Sequence, residues 1–136
     1  MSIRYLLDTN IIIFALRRGA PELRDRLARE SARLATSTIT AMELEYGAAK
    51  SSDAARNRAA TSRMLALVEI LPFDRRAAEH AGEIRADLAR QGTPIGGYDV
   101  LIAGAARSAG LILVTNNTRE FERVPGLQLE DWTRAA

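Results

Sequence analysis

Three acidic residues, Asp8, Glu43 and Asp99, stand at the borders of segments that are otherwise apolar or rich in small residues. Each lies at or near the predicted start of a helix that follows a strand or a glycine loop. Because α/β folds place their chemistry at the carboxyl ends of strands, we expect the fold to bring these carboxylates together. Three carboxylates in one pocket form a hard, oxygen-rich site, which suits Mg²⁺ or Mn²⁺ and the chemistry of phosphate esters.

Asp8 and Asp99 each have a structural as well as a chemical interpretation. Asp8 follows a short apolar segment, where a carboxylate can be a metal ligand, an acyl-phosphate nucleophile or only the cap of the next helix. Asp99 opens a segment, 100–106, that is apolar or small on every side and is predicted to be a buried helix. A buried carboxylate is costly without a partner, and Gly96 and Gly97 allow close approach of the backbone. Asp99 is therefore the acid that points most strongly to a site.

Glu43 competes with Glu45 for the role of the second acid, since both lie on the helix predicted at 40–50. The two side chains are roughly 200° apart around a helix and cannot both face one pocket. Gly47 follows Glu43 by four residues on the same helix face, and its missing side chain would leave room for a ligand. The helical periodicity favours Glu43 only slightly, and both residues stay candidates on this ground.

Two asparagines, Asn116 and Asn117, follow the clearest predicted strand, at 111–114. They lie at the sheet edge where an α/β fold is expected to hold its ligand. The alternative is an ordinary turn, which asparagine favours. Glu120 comes one helical turn later and can point back to the same place.

Strand and helix signals alternate along the chain, which is the pattern of an α/β fold with a mainly parallel sheet. Gly92 is a predicted helix stop, and Asp74 is a predicted helix cap. The predicted strands are 3–7, 34–37, 69–73, 111–114 and 127–129, and the predicted helices are 11–17, 22–33, 40–50, 54–68, 75–91, 98–109 and 119–122. We expect a single domain over 1–136, with a central sheet of four to five short strands and helices on both faces.

Composition narrows the chemistry further. The chain of 136 residues contains no cysteine, which excludes disulfides, zinc–thiolate sites and thiol nucleophiles. It also lacks the motifs of P-loop nucleotide hydrolases, serine hydrolases and dinucleotide-binding folds. Of the 19 basic residues 18 are arginine, which suits phosphate partners but also fits a GC-rich coding sequence. No signal peptide or apolar run of membrane-spanning length is visible, so we expect a soluble cytoplasmic protein.

Four blocks of residues, in order and at matching spacing, resemble the PIN-domain ribonucleases, and within them the VapC-type toxins of bacterial toxin–antitoxin pairs. The resemblance covers nearly the whole chain, and its blocks carry Asp8, Glu43, Asp99 and Asn117 in turn. The blocks are 5–10, 37–47, 95–103 and 114–121. The second block assigns the family's acid to Glu43 and not to Glu45.

The resemblance implies a metal-dependent endoribonuclease in which Asp8, Glu43 and Asp99 hold Mg²⁺, or Mn²⁺, directly or through water. The metal would polarise the scissile phosphate and activate a water molecule. Without the metal, the carboxylates should repel one another and raise at least one pKa. Many PIN domains carry a fourth acid where this chain has Asn117, with Glu120 one turn on, which leaves one or two metal ions open.

The same resemblance implies several partners. RNA is the expected substrate, with tRNA as the first candidate, and the expected assembly is a homodimer held by a VapB-like antitoxin that covers an apolar groove. Segments 11–14 and 65–68 are candidates for the groove, and Arg17 or Arg119 could guide the RNA backbone at the rim of the site. No membrane association is expected.

Two other functions stay open from the sequence. A haloacid-dehalogenase-like phosphatase would use Asp8 as its nucleophile, but that class places a second aspartate where this chain has Asn10, and Lys50 is the only lysine. A PIN-like module that binds RNA or protein without cleavage would be marked by a lost acid, and here only the position of Asn117 deviates.

Overall fold

The computed structural model describes residues 2–17 and 19–134, which form five strands, seven α-helices and one 3₁₀ turn. The strands are β1 (Tyr5–Leu7), β2 (Leu34–Ser37), β3 (Glu69–Leu71), β4 (Ile112–Val114) and β5 (Leu129–Glu130). The helices are α1 (Thr9–Leu16), α2 (Pro21–Arg29), α3 (Thr38–Lys50), α4 (Ala54–Leu65), α5 (Arg75–Gln91), α6 (Gly97–Ser108) and α7 (Thr118–Phe121), and the 3₁₀ turn is Ser31–Arg33.

All five strands are parallel and form one sheet in the order β3-β2-β1-β4-β5. The predicted α/β fold with a parallel sheet of four to five short strands is therefore confirmed. The chain leaves β1 in one direction, towards β2 and β3, and later returns to place β4 on the other side of β1. Such a switch point opens a crevice at the carboxyl ends of the strands, and this carboxyl edge is where a ligand is expected.

Both faces of the sheet are covered, as predicted. Tyr5 and Leu7 of β1 pack into a core with α1, α2, α3 and α4, whereas Leu6 between them packs into a second core with α5 and α6. Successive side chains of a strand point to opposite faces, so a central strand buried on both faces must be apolar throughout. This explains why β1 has no polar residue before Asp8.

Polar residues cap the beginnings of four helices. Asp8, Ser37, Asp53 and Asp74 each accept a hydrogen bond from the backbone N–H three residues later. Ser37 caps α3, which begins at Thr38, so the predicted start at residue 40 is wrong by two residues. Helix α5 ends as predicted, at Gly92 with φ +70°.

Other predicted boundaries are also wrong, because tertiary pairing decides them. The helix predicted at 22–33 ends at Arg29, and a 3₁₀ turn then leads into β2. The helix predicted to residue 68 ends at Leu65, since the chain must turn to pair β3 with β2. The last strand lies at Leu129–Glu130 and not at 127–129, because its partners are Leu113 and Val114.

Helices α5 and α6 pack closely because small residues meet between them. A side chain added at Gly104 of α6 would lie 2.8 Å from the Ala77 carbonyl oxygen and from the backbone nitrogen and Cβ of Ala81 on α5. Real Cβ atoms do not approach backbone so closely, so only glycine fits here. This contact fixes α6 against α5 and so fixes the position of Asp99 in its first turn.

An apolar groove lies between α1, α2 and α4, with a volume of about 440 Å³. Leu16, Met64 and Leu67 are among its lining residues, and Leu67 is strongly exposed. The prediction that 11–14 would line a groove is wrong for Ile11 and Ile12, which are fully buried in the core beneath it. Among residues 2–17 and 19–134, no helix combines the length and the apolar composition that crossing a membrane would require.

Candidate active site

Asp8 lies at the carboxyl end of β1 and is only 2% exposed. Its Oδ1 accepts a hydrogen bond from the Ile11 N–H at 2.8 Å, and its Oδ2 accepts one from the Thr115 hydroxyl at 2.5 Å. Thr115 follows β4, which is the neighbour of β1 in the sheet. Asp8 therefore caps α1 and also occupies a buried position at the carboxyl edge of the sheet.

The surroundings of Asp8 oppose its ionisation. Burial raises its pKa from 3.8 to about 6, although the hydrogen bonds from Thr115 and Ile11 act in the opposite direction. The negative charges of Glu43 and Asp131 raise it further. The carboxyls repel as expected, but burial is the larger cause of the shift.

Glu43 faces the same edge from α3. The Thr9 hydroxyl lies 2.6 Å from Glu43 Oε1, and since an ionised carboxylate only accepts, the hydroxyl donates. Glu45 points away and is 55% exposed, with the Arg58 guanidinium donating to both of its carboxylate oxygens. Of the two glutamates that periodicity left open, Glu43 is the one that faces this edge, and its role as a metal ligand stays a prediction. A side chain added at Gly47 would meet nothing within 4 Å, which is the open space that the sequence suggested.

Asp99 is half-buried in the first turn of α6. Burial is again the main cause that raises its pKa from 3.8 to about 6, followed by the negative charges of Glu120, Asp8 and Glu43. A Cβ added at Gly96 would lie 3.1 Å from Asp99 Oδ2, so glycine allows the carboxyl to sit against the preceding loop. Four carboxyls, those of Asp8, Glu43, Asp99 and Glu120, are thus in electrostatic contact, and we call them the acidic site.

Glu120 joins this group through α7. Its Oε1 accepts a hydrogen bond from the Gly96 N–H at 2.7 Å, and its Oε2 accepts one from Asn117 Nδ2 at 2.8 Å. These donors hold the pKa of Glu120 below its usual value, with the Gly96 bond as the largest cause. Asn117 in turn donates its backbone N–H to the Thr115 hydroxyl at 2.9 Å. A hydrogen-bonded path therefore runs from Asp8 through Thr115 and Asn117 to Glu120.

The donor set suits a hard cation, because it offers only carboxylate, hydroxyl and amide oxygens. Within 2–17 and 19–134, however, no three acidic or histidine side chains come together closely enough to hold one ion among them. Mg²⁺ keeps several of its water ligands when it binds protein. The arrangement therefore fits a cation held by one or two carboxylates directly and by the others through water.

Sequence reasoning missed three residues of this edge, Thr9, Thr115 and Asp131. Each follows the carboxyl end of a strand, β1, β4 and β5 respectively, so the same rule that selected Asp8 could have found them. Sequence alone gives no reason to select Thr9 or Thr115, because the role of each hydroxyl is clear only once its carboxylate partner is known. Asp131 accepts a hydrogen bond from the Thr133 N–H and forms an ion pair with Arg134. Its negative charge also raises the pKa of Asp8.

The two proposed rim arginines differ in position. Arg119 is exposed in α7, next to Glu120. Arg17 follows the far end of α1, about 12 Å along the helix from Asp8, where its carbonyl oxygen accepts a hydrogen bond from Arg24. Of the two, Arg119 is the one on an element that carries an acid of the site, while the arginine whose charge acts on Glu120 is Arg123.

Comparison with known proteins identifies the family. The model of the PIN domain matches residues 5–127. The tRNA(fMet)-specific endonuclease VapC of Salmonella typhimurium is 48% identical over 130 residues, which cover 96% of this chain and 98% of the relative. The protein of the same name from Shigella flexneri is 49% identical over 131 residues, covering 96% and 99%.

Solved structures agree with this sequence relationship. DNA-bound VapBC from Salmonella typhimurium gives a TM-score of 0.93 at 48% identity, covering 96% of this chain and 98% of that chain. VapBC2 from Rickettsia felis, bound to a DNA fragment from its promoter, gives 0.90 at 34% identity, covering 97% and 99%. The chain therefore belongs to the PIN-domain family and, within it, to the VapC ribonucleases.

Proposed function

We propose that the acidic site is the Mg²⁺-dependent centre with which this VapC-type endoribonuclease hydrolyses phosphodiester bonds in RNA. The observation that carries the proposal is the pair of carboxyls, Asp8 and Asp99, whose pKa values are both raised to about 6 beside further carboxylates. A carboxyl that is hard to ionise does not stabilise an ordinary surface or core, whereas a bound cation would favour its ionised form. Mn²⁺ is the alternative ion.

Asp8, Glu43 and Asp99 would hold the cation, as the family resemblance implies, and Glu120 is a fourth oxygen donor at the same place. When bound, the cation would polarise the scissile phosphate and lower the pKa of an attacking water molecule. The hydroxyls of Thr115 and Thr9 orient the Asp8 and Glu43 carboxylates by donating to one oxygen of each, at 2.5 and 2.6 Å.

Asn117 has a supporting role in this proposal. Its amide nitrogen donates to Glu120, because a carboxylate can only accept, and this leaves the amide oxygen free to face a ligand or a water molecule. Asn117 thus positions Glu120, while Glu120 supplies the charge that many PIN domains obtain from an acid at the asparagine's place. The catalytic contribution of Asn117 stays a prediction.

The substrate proposed is tRNA, since two relatives nearly half identical to this chain are named as tRNA(fMet)-specific endonucleases. Which tRNA is cut depends on contacts beyond the acidic site. Exposed arginines beside it, such as Arg119, can neutralise the RNA backbone.

The partner proposed is a VapB-like antitoxin, because solved structures similar to this chain include VapBC complexes. The apolar groove of α1, α2 and α4, with Leu16 and Leu67 exposed, is the surface offered for an apolar segment of that antitoxin. We also propose a homodimer, which light scattering of the purified chain would test.

The experiment that tests the function is cleavage of total tRNA by the purified, antitoxin-free chain with Mg²⁺, Mn²⁺ or EDTA. Glu43→Gln and Glu45→Gln form a matched pair, since both remove a charge from α3 but only Glu43 faces the acidic site. We expect discrete fragments that EDTA abolishes, a loss of at least a hundredfold for Glu43→Gln, equivalent to ~3 kcal/mol, and cleavage within twofold of wild type for Glu45→Gln. Equal loss in both variants, or cleavage in EDTA, would contradict the proposal.

A second candidate is the PIN-like module that binds RNA without cleavage. One observation favours it: in the described part of the chain no three acids stand close enough to hold one ion. The same assay separates the two, because this candidate expects tight binding of tRNA and no fragments with either metal. The phosphatase alternative has no such support, since both Asp8 oxygens are engaged by hydrogen bonds and the chain belongs to another family.

A further inference from the structure

Two exposed tyrosines lie close along the chain to residues of the acidic site. Tyr98 is 53% exposed and immediately precedes Asp99, and Tyr46 is 62% exposed and lies three residues after Glu43 on α3. Residues three apart on a helix are neighbours on its surface, so Tyr46 stands beside Glu43. The third tyrosine of the chain, Tyr5, is buried in the core.

Each of these tyrosines is adjacent to a glycine that opens the surface around it. Gly97 precedes Tyr98 and Gly47 follows Tyr46, and a Cβ added at either glycine would meet nothing within 4 Å. Helices α3 and α6, which carry the two tyrosines, contact each other. Neither glycine therefore places a side chain next to its neighbouring tyrosine.

The charges near the rings suit a nucleotide. Lys50, the only lysine of the chain, places its Nζ 4.9 Å from the centroid of the Tyr46 ring. Arg119 is exposed in α7 beside Glu120. Exposed aromatic rings, cations and carboxylates that suit a metal offer partners for the base, the phosphate and the reacting group of one RNA segment.

We propose that Tyr98 and Tyr46 stack unpaired bases of the RNA on either side of the acidic site. The inference rests on the proposed function, because it takes RNA as the substrate. Base stacking on tyrosine tolerates any base but needs it to be unpaired, so the two rings select a single-stranded loop or end over a duplex. The phosphate between two stacked nucleotides is then held at the acidic site.

The test compares Tyr98→Leu and Tyr46→Leu with Tyr98→Phe and Tyr46→Phe. Leucine keeps an apolar side chain that suits a helix but removes the aromatic face, whereas phenylalanine keeps the face. Ile70→Ala, which alters an exposed apolar residue on the edge strand β3, is the control.

Cleavage is measured on a hairpin tRNA fragment and on the same sequence paired in a full duplex. Binding is measured by the quenching of 2-aminopurine, placed at successive loop positions, in an Asp99→Asn background that does not cleave.

We expect each leucine variant to bind and cleave the hairpin roughly 5- to 100-fold less well, and the phenylalanine variants and Ile70→Ala to stay within about twofold. Quenching should be lost at one loop position for each leucine variant. Equal cleavage and quenching by the leucine and phenylalanine variants would overturn the inference while leaving the nuclease intact. A loss of antitoxin binding or dimerisation with unchanged RNA binding would assign the tyrosines to a protein contact and also overturn it. If the wild-type chain does not cleave, the proposed function fails, and 2-aminopurine quenching still decides whether the rings stack.

Discussion

The α5–α6 pair and the carboxyl edge of the sheet follow opposite rules. Between α5 and α6, small residues such as Gly104 and Ala81 allow the backbones to approach closely, and the buried part of the contact is apolar. Arg107 near the end of α6 adds a hydrogen bond to His80 Nδ1 of α5. At the carboxyl edge, Asp8 and Asp99 occupy positions where burial raises their pKa values and so disfavours their ionised forms. The first region contributes to the stability of the fold, whereas the second costs stability, and the proposed binding of a cation would offset that cost. The two meet in α6, which carries Gly104 in its middle and Asp99 at its start.

The largest effect is expected from Asp8→Asn. Asparagine can still cap α1 but cannot be ionised, so cleavage should fall by roughly a thousandfold or more, equivalent to ~4 kcal/mol. The metal-free variant should nevertheless be more stable than wild type at pH 8, by ~1–3 kcal/mol. Urea denaturation and tRNA cleavage measure the two effects. A variant that loses both activity and stability would show that Asp8 is mainly a structural cap.

The pH dependence of stability sharpens the same contrast. The pKa of Asp8 is raised from 3.8 to about 6 on folding, so the folded state binds more protons than the unfolded state between these values. Stability therefore falls as pH rises through this window, by about 3 kcal/mol at most for this group, and is constant above it. Because Glu120 shifts in the opposite direction, the useful quantity is the difference between wild type and Asp8→Asn.

That difference should be near zero at pH 4 and reach its full value by pH 7 in EDTA, when both proteins are unfolded with urea over this range. A difference that is already complete at pH 4 would mean that ionisation of Asp8 is not its cause.

Gly104→Ala tests the other region. The added methyl group would lie 2.8 Å from the backbone of α5, so we expect the free energy of unfolding to fall by about 1–3 kcal/mol. Gly82→Ala is the matched control, since Gly82 is exposed in the middle of α5 with nothing within 4 Å of an added Cβ. Alanine favours a helix more than glycine, so this variant should gain up to ~1 kcal/mol. Equal effects of the two variants would contradict the close packing.

Gly96→Ala should have the smallest effect and should separate function from stability. The added Cβ would approach Asp99 Oδ2 to 3.1 Å, and the flexible carboxyl can move away by a few tenths of an ångström. We expect cleavage to fall roughly tenfold, equivalent to ~1.4 kcal/mol, with the free energy of unfolding changed by less than ~0.5 kcal/mol. Unfolding in urea and cleavage by the same preparation provide the comparison. A variant that is destabilised as much as Gly104→Ala would show that Gly96 serves the fold.

The sequence predicts the acidic residues better than the residues that position them, because the positioning residues are far away along the chain. Asp8 and Asp99 are identified by local pattern, one at the end of an apolar strand and the other at the start of an apolar helix. The hydroxyl that holds Asp8 belongs to Thr115, 107 residues away, and no local pattern connects them. Glu43 and Glu45 are distinguished by contacts with other helices, of Glu43 with Thr9 on α1 and of Glu45 with Arg58 on α4.

The same argument holds for the fold. The parallel sheet follows from alternating strand and helix signals, because such signals are local. The last strand was misplaced because Leu129 and Glu130 are defined by pairing with Leu113 and Val114, and not by their own β propensity. Of the two segments predicted to line the groove, 11–14 is wrong for Ile11 and Ile12, because their apolar side chains fill the core. Leu67, in the segment 65–68, does line the groove.

The most direct test of the central claim is the effect of Mg²⁺ on the thermal unfolding midpoint at pH 8. Wild type, Asp8→Asn and Glu45→Gln would be compared in EDTA and in increasing Mg²⁺. We predict that Mg²⁺ raises the midpoint of wild type and of Glu45→Gln by at least ~3 °C. Asp8→Asn should start higher than wild type and not respond. An equal response of all three proteins, or none in any, would contradict the assignment of the acidic site as the cation site.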